Sequence, residues 1–298
     1  MFIGGATEPE DGCSTGVTMI EIAATGEPLT AQFDDPCLEV VGIAQMFCAF
    51  EYSPGGVPII VSLDIGAGWP ALWVSGISWE PVSIYSGPGT FSVSDPTRHA
   101  LLFSGGNFFL GGQNGIIGGP EFDCMDRIWK NAGWSWTTCL DNPFETFDMW
   151  NDTLLAIGFP TVTKVDTLNG LQAGTFALFA GTPVTNGHTA ISGDTLFWAS
   201  RFNNGQLHLG RYLIGSGTVW EVTLPFSGYP VELHDDGMGR LWTAAGNRII
   251  WIDQTDGSYQ SYSFGSIVND IDMVGTVVAI TGTMDGITSY VLRGHIVP

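Results

Sequence analysis

The stretch Arg240-Leu-Trp-Thr-Ala-Ala-Gly-Asn-Arg248-Ile-Ile-Trp-Ile-Asp-Gln-Thr-Asp256-Gly257-Ser-Tyr-Gln-Ser-Tyr-Ser263 decides the fold. Runs of Leu, Trp, Thr, Ile and Tyr are cut at Gly246-Asn247 and again at Asp256-Gly257. β-Branched and aromatic side chains suit a pleated, half-buried surface, and Gly, Asn and Asp supply the positive-φ positions that tight turns need. The segment reads as three short antiparallel strands, with Val231-Glu-Leu-His234 just ahead of it as a fourth.

The same pattern recurs along the chain. A hairpin is read at Thr146-Phe-Asp-Met-Trp-Asn-Asp-Thr-Leu154-Leu-Ala-Ile157, at His188-Thr-Ala-Ile-Ser-Gly-Asp-Thr-Leu196-Phe-Trp-Ala199 and at Asp270-Ile-Asp-Met-Val-Gly-Thr-Val277-Val-Ala-Ile280. Looser copies run from Leu38 to Ala49 and from Phe91 to Phe103. Taking Phe47, Leu101, Leu154, Leu196, Leu241 and Val277 as equivalent gives spacings of 54, 53, 42, 45 and 36, and four strands in a unit of about 40 residues is the period of a β-propeller blade. One such sheet cannot bury both faces, whereas sheets stacked around an axis can. The expected fold is all-β: one domain over residues 1–298, a six-bladed β-propeller of four-stranded antiparallel blades. Its blades fall near 34–78, 79–140, 141–182, 183–228, 229–265 and 266–298. The count becomes seven if the long second unit is two blades. The last copy has room for three strands only. The N-terminal segment at about 17–33, led by Val17-Thr-Met-Ile-Glu-Ile22, is expected to supply the fourth and close the ring. Asp123–Ala132 is the only stretch that reads as a helical turn.

Composition narrows the function. The chain has 298 residues, 44% hydrophobic and 12% aromatic, which is enough apolar surface to offset the entropy of ordering and excludes a disordered chain. Gly numbers 41 but has no three-residue period, so a collagen-like fibre is excluded. Lys and Arg total 9 against 30 Asp and Glu, for a formal net charge of −21, too few cations to neutralise many phosphates. Nucleic acid is therefore not an expected partner. Charged residues are 13%, about half the usual share, and mean hydropathy is +0.20. A surface so poor in charge suits a subunit that buries much of itself in an assembly. The N-terminus lacks the basic and apolar regions of a secretory signal, and the most apolar window, Val57–Ile77, is broken by Asp64, Pro58 and Pro70. No membrane insertion is expected, and the chain is expected to be made in a cytoplasm. The five cysteines form no C-x-x-C pair and read as buried free thiols, a Cys124–Cys139 bridge being the main exception.

Gly239-Arg-Leu-Trp-Thr-Ala, Arg248-Ile-Ile-Trp-Ile-Asp and Asp256-Gly together resemble a blade of the two-component-regulator sensor propellers and of the SMP-30/gluconolactonase-like group. The resemblance implies fold, because these propellers serve many functions. Enzymes of the lactonase group hold a divalent ion in the central channel on inner-strand carboxylates. By that likeness Glu232, Asp270 and Asp272, with His234 beside them, are candidate Ca²⁺ ligands. The other inner strands offer only Ser92, Ser94, Asp148 and Thr189, and no cofactor is expected. H-E-x-x-H, G-x-S-x-G and Walker A patterns are all absent.

The largest irregularity is the stretch at about 113–136, which reads as a long rim insertion. It brings Arg127, Trp129, Lys130, Trp134 and Trp136 together, and loops that depart from a repeat often bind something. These five are the candidate binding residues, suited to a protein interface or to stacking on a glycan. The expected role is non-enzymatic: a structural or binding propeller that resembles bacteriophage tail and virion proteins. Such a chain is made in the host cytoplasm and works in the virion, with other virion proteins, itself or a host receptor as partners. The alternatives are a secreted glycan-binding propeller and a metal-dependent lactonase or lyase.

Overall fold

The computed structural model describes residues 2–7, 16–22, 28–29, 47–52, 58–64, 71–75, 79–80, 100–104, 107–115, 121–129, 133–181, 183–274, 277–284 and 288–295. The chain divides into two compact units. The first comprises Met1–Pro143 and Leu168–Gly170, the second Phe144–Thr167 and Leu171–Pro298.

In the first unit three sheets follow one another. β1 (Phe2–Thr7), β2 (Gly16–Ile22) and β3 (Pro28–Leu29) form a three-stranded sheet. β4 (Phe47–Tyr52), β5 (Pro58–Asp64), β6 (Ala71–Ser75) and β7 (Trp79–Glu80) form the next, of four strands. β8 (Ala100–Ser104), β9 (Asn107–Gly115), β10 (Glu121–Trp129) and β11 (Gly133–Leu140) form the third. The expectations for this part of the chain compare as follows with its strands. The expected closing segment Val17–Ile22 lies in β2, which pairs with β1 and β3. Within the supposed insertion at 113–136, the described residues 113–115, 121–129 and 133–136 lie in strands β9, β10 and β11. The expected helical turn lies largely in β10, where pairing on both edges overrides a weak local helix signal. Leu101 and Phe47 fall on the first strands of their sheets, one strand earlier than their supposed equivalents.

The second unit keeps the repeat more regularly. Its sheets are β12 (Thr146–Trp150), β13 (Thr153–Gly158), β14 (Thr161–Asp166) and β15 (Gln172–Ala177); then β16 (Pro183–Ser192), β17 (Thr195–Phe202), β18 (Gln206–Leu213) and β19 (Gly217–Ser227). β20 (Pro230–Asp235), β21 (Arg240–Ala245), β22 (Arg248–Asp253) and β23 (Tyr259–Ser263) follow, and β24 (Ile267–Val274), β25 (Val277–Met284) and β26 (Thr288–His295) end the chain as a three-stranded sheet. Every pairing is antiparallel between neighbours in sequence. The first turns of two sheets, Asn151-Asp152 and Gly193-Asp194, open on a positive φ of 51° and 58°, as a two-residue hairpin with right-handed strand twist requires.

Alternation along the strands explains the cores. Leu196 and Trp198 of β17 pack with Leu155, Ile157, Val162 and Phe179, between the first and second sheets of this unit. Phe197 and Ala199, on the opposite face, pack with Leu207, Leu209, Leu241 and Ile250, between the second and third. Ala244, Ile249, Val268, Ile271 and Ile280 fill the space between the third and fourth. Because the second sheet is covered on both faces, Thr195–Ser200 is buried throughout. The first strands β12, β16, β20 and β24 lie side by side in that order.

Candidate functional site

One cluster of titratable side chains in the second unit lies on these four first strands. Residues two apart share a face of a strand, so Glu232 and His234 lie together on β20 and Asp270 and Asp272 on β24. A bulge interrupts the pairing of β20 between Val231 and His234, and Glu232 sits in it at a φ of 36°, in the left-handed region. Thr243 Oγ1, aimed at the carbonyl oxygens of Val231 and Glu232 at 3.0 and 2.6 Å, holds the bulge. β16 and β24 are bulged too, near Thr185 and near Asp270. Bulges re-aim side chains, and strained backbone gathers at sites that use it.

Each junction between neighbouring first strands is crossed by a titratable side chain. Thr189 Oγ1 of β16 donates to Asp148 Oδ2 of β12 at 3.2 Å. His188 of β16 lies beside the Pro230 carbonyl of β20, which favours its charged form against the larger effect of burial. His234 Nε2 of β20 lies 2.7 Å from the Ile271 carbonyl of β24 and 3.1 Å from Glu232 Oε2; both are acceptors, so this nitrogen carries the proton. Burial pushes Asp148 up to about 6, against the hydrogen bonds from Met149 N and Thr189. Burial and the neighbouring Glu232 charge push Asp270 up to about 6 as well. Burial lowers His188. For His234 burial opposes the charge, but the bond and charge of Glu232 outweigh it and the ring titrates above its usual range. Burial likewise works against ionised Glu232, and His234 outweighs it, so this carboxyl falls below its usual range. The arrangement can share protons and tie strands together.

The sequence candidates fare unevenly. Glu232, His234, Asp270 and Asp272 do come together on adjacent first strands, but among the described residues no three His, Cys, Asp or Glu side chains are grouped to hold a metal ion. The geometry shows why: Glu232 is engaged by His234, while Asp270 and Asp272 each accept the next residue's backbone N–H, at 2.9 and 2.7 Å. Ser92 and Ser94 lie outside the described residues. Arg127 is buried, with Nε and Nη2 on Asn107 Oδ1 at 3.2 and 3.1 Å, and Trp136 is buried against Phe109, so these two are core side chains and not exposed anchors. Trp129 and Trp134 lie on β10 and β11, their side chains outside what is described, as is the whole of Lys130. Cys124 and Cys139 are cross-strand partners joined by a disulfide, the exception foreseen in the sequence. His188 was missed because its role depends on the facing strand, which no spacing in the sequence reveals.

Two surface grooves accompany the cluster. One, of about 350 Å³, is lined by Lys164, Phe176, Tyr212 and the glycines 174, 215 and 217, with Phe176 stacked on Tyr212 at 4.7 Å. The other, of about 290 Å³, lies among Trp242, Trp251, Tyr262, Val278 and Ile280. The cations mostly cover rings: Lys164 lies over Trp150 and Phe176, Arg201 over Tyr229, Arg240 over Trp251 and Arg248 over Phe226. Among the described residues none of these four is ion-paired with a carboxylate. No described helix is long and apolar enough to cross a membrane.

No protein-family model and no curated protein sequence matches the chain. Solved structures do. The WD40 domain of Toxoplasma gondii coronin is similar with a TM-score of 0.61 at 12% identity, covering 98% of this chain and 77% of that one. The WD40 domain of Neurospora crassa Pan2 is similar with a TM-score of 0.54 at 11% identity, covering 78% and 70%. Kluyveromyces marxianus Hsv2 follows at 0.51 and 10% identity, covering 83% and 76%. At such identities the likeness speaks to fold alone, and with the repeated four-stranded antiparallel sheets it makes this chain a β-propeller-type protein.

Proposed function

We propose that this protein is a non-enzymatic propeller that works by contact with other proteins, as a virion subunit of the phage-tail kind. The observation that carries the reading is where the chemistry sits. The titratable groups on the first strands are spent on tying strand to strand, while large apolar side chains stand out on a surface thin in charge. Val219 and Tyr229 are each 50% exposed, Tyr262 52% and Ile267 55%. Tyr with Arg beside it, as at Tyr229 and Arg201, is the composition of protein interfaces. The fold is consistent with this role, and the Cys124–Cys139 bridge favours a working life in an oxidising medium, outside the cytoplasm of synthesis. The test is to recover tagged protein from a producing host and to locate it on purified particles by immunogold labelling. Labelled tails carry the proposal; unlabelled particles and a strictly monomeric protein at high concentration would overturn it.

A further inference from the structure

Within the second sheet of the second unit, Trp198 Nε1, Ser200 Oγ and His208 Nε2 are buried and find no hydrogen-bond partner in the chain. Trp198 and Ser200 are fully buried, and His208 is 9% exposed. Buried polar groups are nearly always hydrogen-bonded, and one left alone costs its full desolvation.

The strands bring the three groups to one place. Residues two apart share a face of a strand, so Trp198 and Ser200 of β17 both lie on the face that packs against the first sheet. Ser200 stands directly opposite His208 of β18, and Trp198 opposite Gly210. Because Gly210 has no side chain, the Trp198 indole crosses to β18, where a Cβ on Gly210 would lie 2.5 Å from Nε1. The indole N–H is thus held over β18, one position along this face from the His208 ring. Opposed side chains on paired strands stand about 5 Å apart at Cβ, a gap that a molecule hydrogen-bonding at about 2.8 Å on either side can span. Phe202 stacks on His208 at 3.7 Å, and Phe179 lies 4.4 Å from Trp198 and 4.8 Å from Phe202. These rings bring no polar atom.

The chemistry of the three atoms selects what can sit among them. Trp198 Nε1 only donates, and Ser200 Oγ both donates and accepts. His208 Nδ1 lies 3.2 Å from Thr223 Oγ1 and 3.4 Å from Glu221 Oε1. The carboxylate only accepts, so the proton of the neutral ring is on Nδ1 and Nε2 is an acceptor. The indole N–H opposes a cation, and the Nε2 lone pair opposes an anion. A neutral molecule that donates and accepts suits all three. Burial limits it to the size of water, and neither groove described above is lined by any of these residues.

We propose that this point binds a single internal water, which accepts from Trp198 Nε1, donates to His208 Nε2 and shares a hydrogen bond with Ser200 Oγ. It adds a polar crosslink between β17 and β18 to a core that also holds Leu155, Ile157, Val162 and Phe179. A water with about three such bonds is part of the fold and costly to remove.

A crystal structure of the full chain, at a resolution that orders waters, tests the proposal. The expected result is one water within about 2.7–3.2 Å of all three atoms. No water there, a water reaching fewer than the three, or Ser200 Oγ bonded directly to His208 Nε2 would overturn it. Ser200→Ala gives a second measurement, in solution. With the water in place the substitution strips one of its three partners, and the melting temperature falls by a few degrees. Without the water the hydroxyl is a buried group with nothing to bond, and its removal raises the melting temperature. An unchanged or higher melting temperature therefore counts against the proposal as firmly as a dry site in the crystal.

Discussion

Asp148→Asn should stabilise the protein at neutral pH. The carboxyl is held between β12 and β16, accepts Met149 N at 2.9 Å and Thr189 Oγ1 at 3.2 Å, and titrates at about 6 in place of 3.8. Because the folded value lies above the unfolded one, the folded state prefers the protonated acid. Its contribution is therefore most favourable below the unfolded value and is lost as pH rises through about 6. At about 1.4 kcal/mol per pH unit the full penalty is about 3 kcal/mol, trimmed to roughly 2 kcal/mol by solvent screening at a half-buried site. Asn cannot ionise, keeps an acceptor for Met149 N, and can donate to Thr189 Oγ1 across the strand junction. Urea unfolding at pH 5 and pH 7.5 is the assay. The variant should exceed the wild type by about 1–2 kcal/mol at pH 7.5 and by less at pH 5, so that the difference between the proteins, rather than either curve alone, isolates this group. A variant weaker than the wild type at both pH values would show that the ionised carboxylate is favourable where it sits, and the reasoning would fail.

Asp236→Ala should cost about 2–4 kcal/mol in the same assay, because the buried carboxylate accepts Met238 N at 2.7 Å, Arg240 N at 3.0 Å and Trp242 Nε1 at 3.2 Å and would orphan all three. Gly210→Ala should lower stability by about 1–3 kcal/mol: a Cβ there would meet the fully buried Trp198 indole inside van der Waals contact, and Trp198→Phe in the same chain should restore part of the loss. Cys124→Ser with Cys139→Ser opens a link across a separation of 15 residues and should cost about 3 kcal/mol, read by thermal unfolding; an unchanged melting temperature would mean that the bridge constrains nothing.

The repeat was legible where turn chemistry and alternation agree. Asn151-Asp152, Gly193-Asp194 and Asp256-Gly257 each announce a hairpin, and the four-stranded units from 141 to 265 follow. It was illegible where residues of low β-propensity are drafted into strands by pairing. β9 contains Gly111-Gly-Gln-Asn-Gly115, which reads as a loop, yet all five residues pair with β10. Misreading that stretch produced the supposed insertion and with it the binding candidates Arg127 and Trp136, which the sheet buries. Of the first-strand cluster, the alternation of Glu232 with His234 and of Asp270 with Asp272 was visible because a strand has period two. The link from His188 to Pro230 was not, because it depends on how consecutive sheets face each other.

Turn chemistry also accounts for the acidity. Asp235, Asp236, Asp253 and Asp256 each accept a backbone N–H two residues on, at 2.7 to 2.8 Å, which is how aspartate closes a tight turn. A chain of short antiparallel strands needs many such turns, and in the sheets β12 to β23 those built on Asp fall at one end, while the other end turns on Gly, Asn and Pro. The few cations do not neutralise them, because Lys164, Arg201, Arg240 and Arg248 cover aromatic rings that would otherwise meet water.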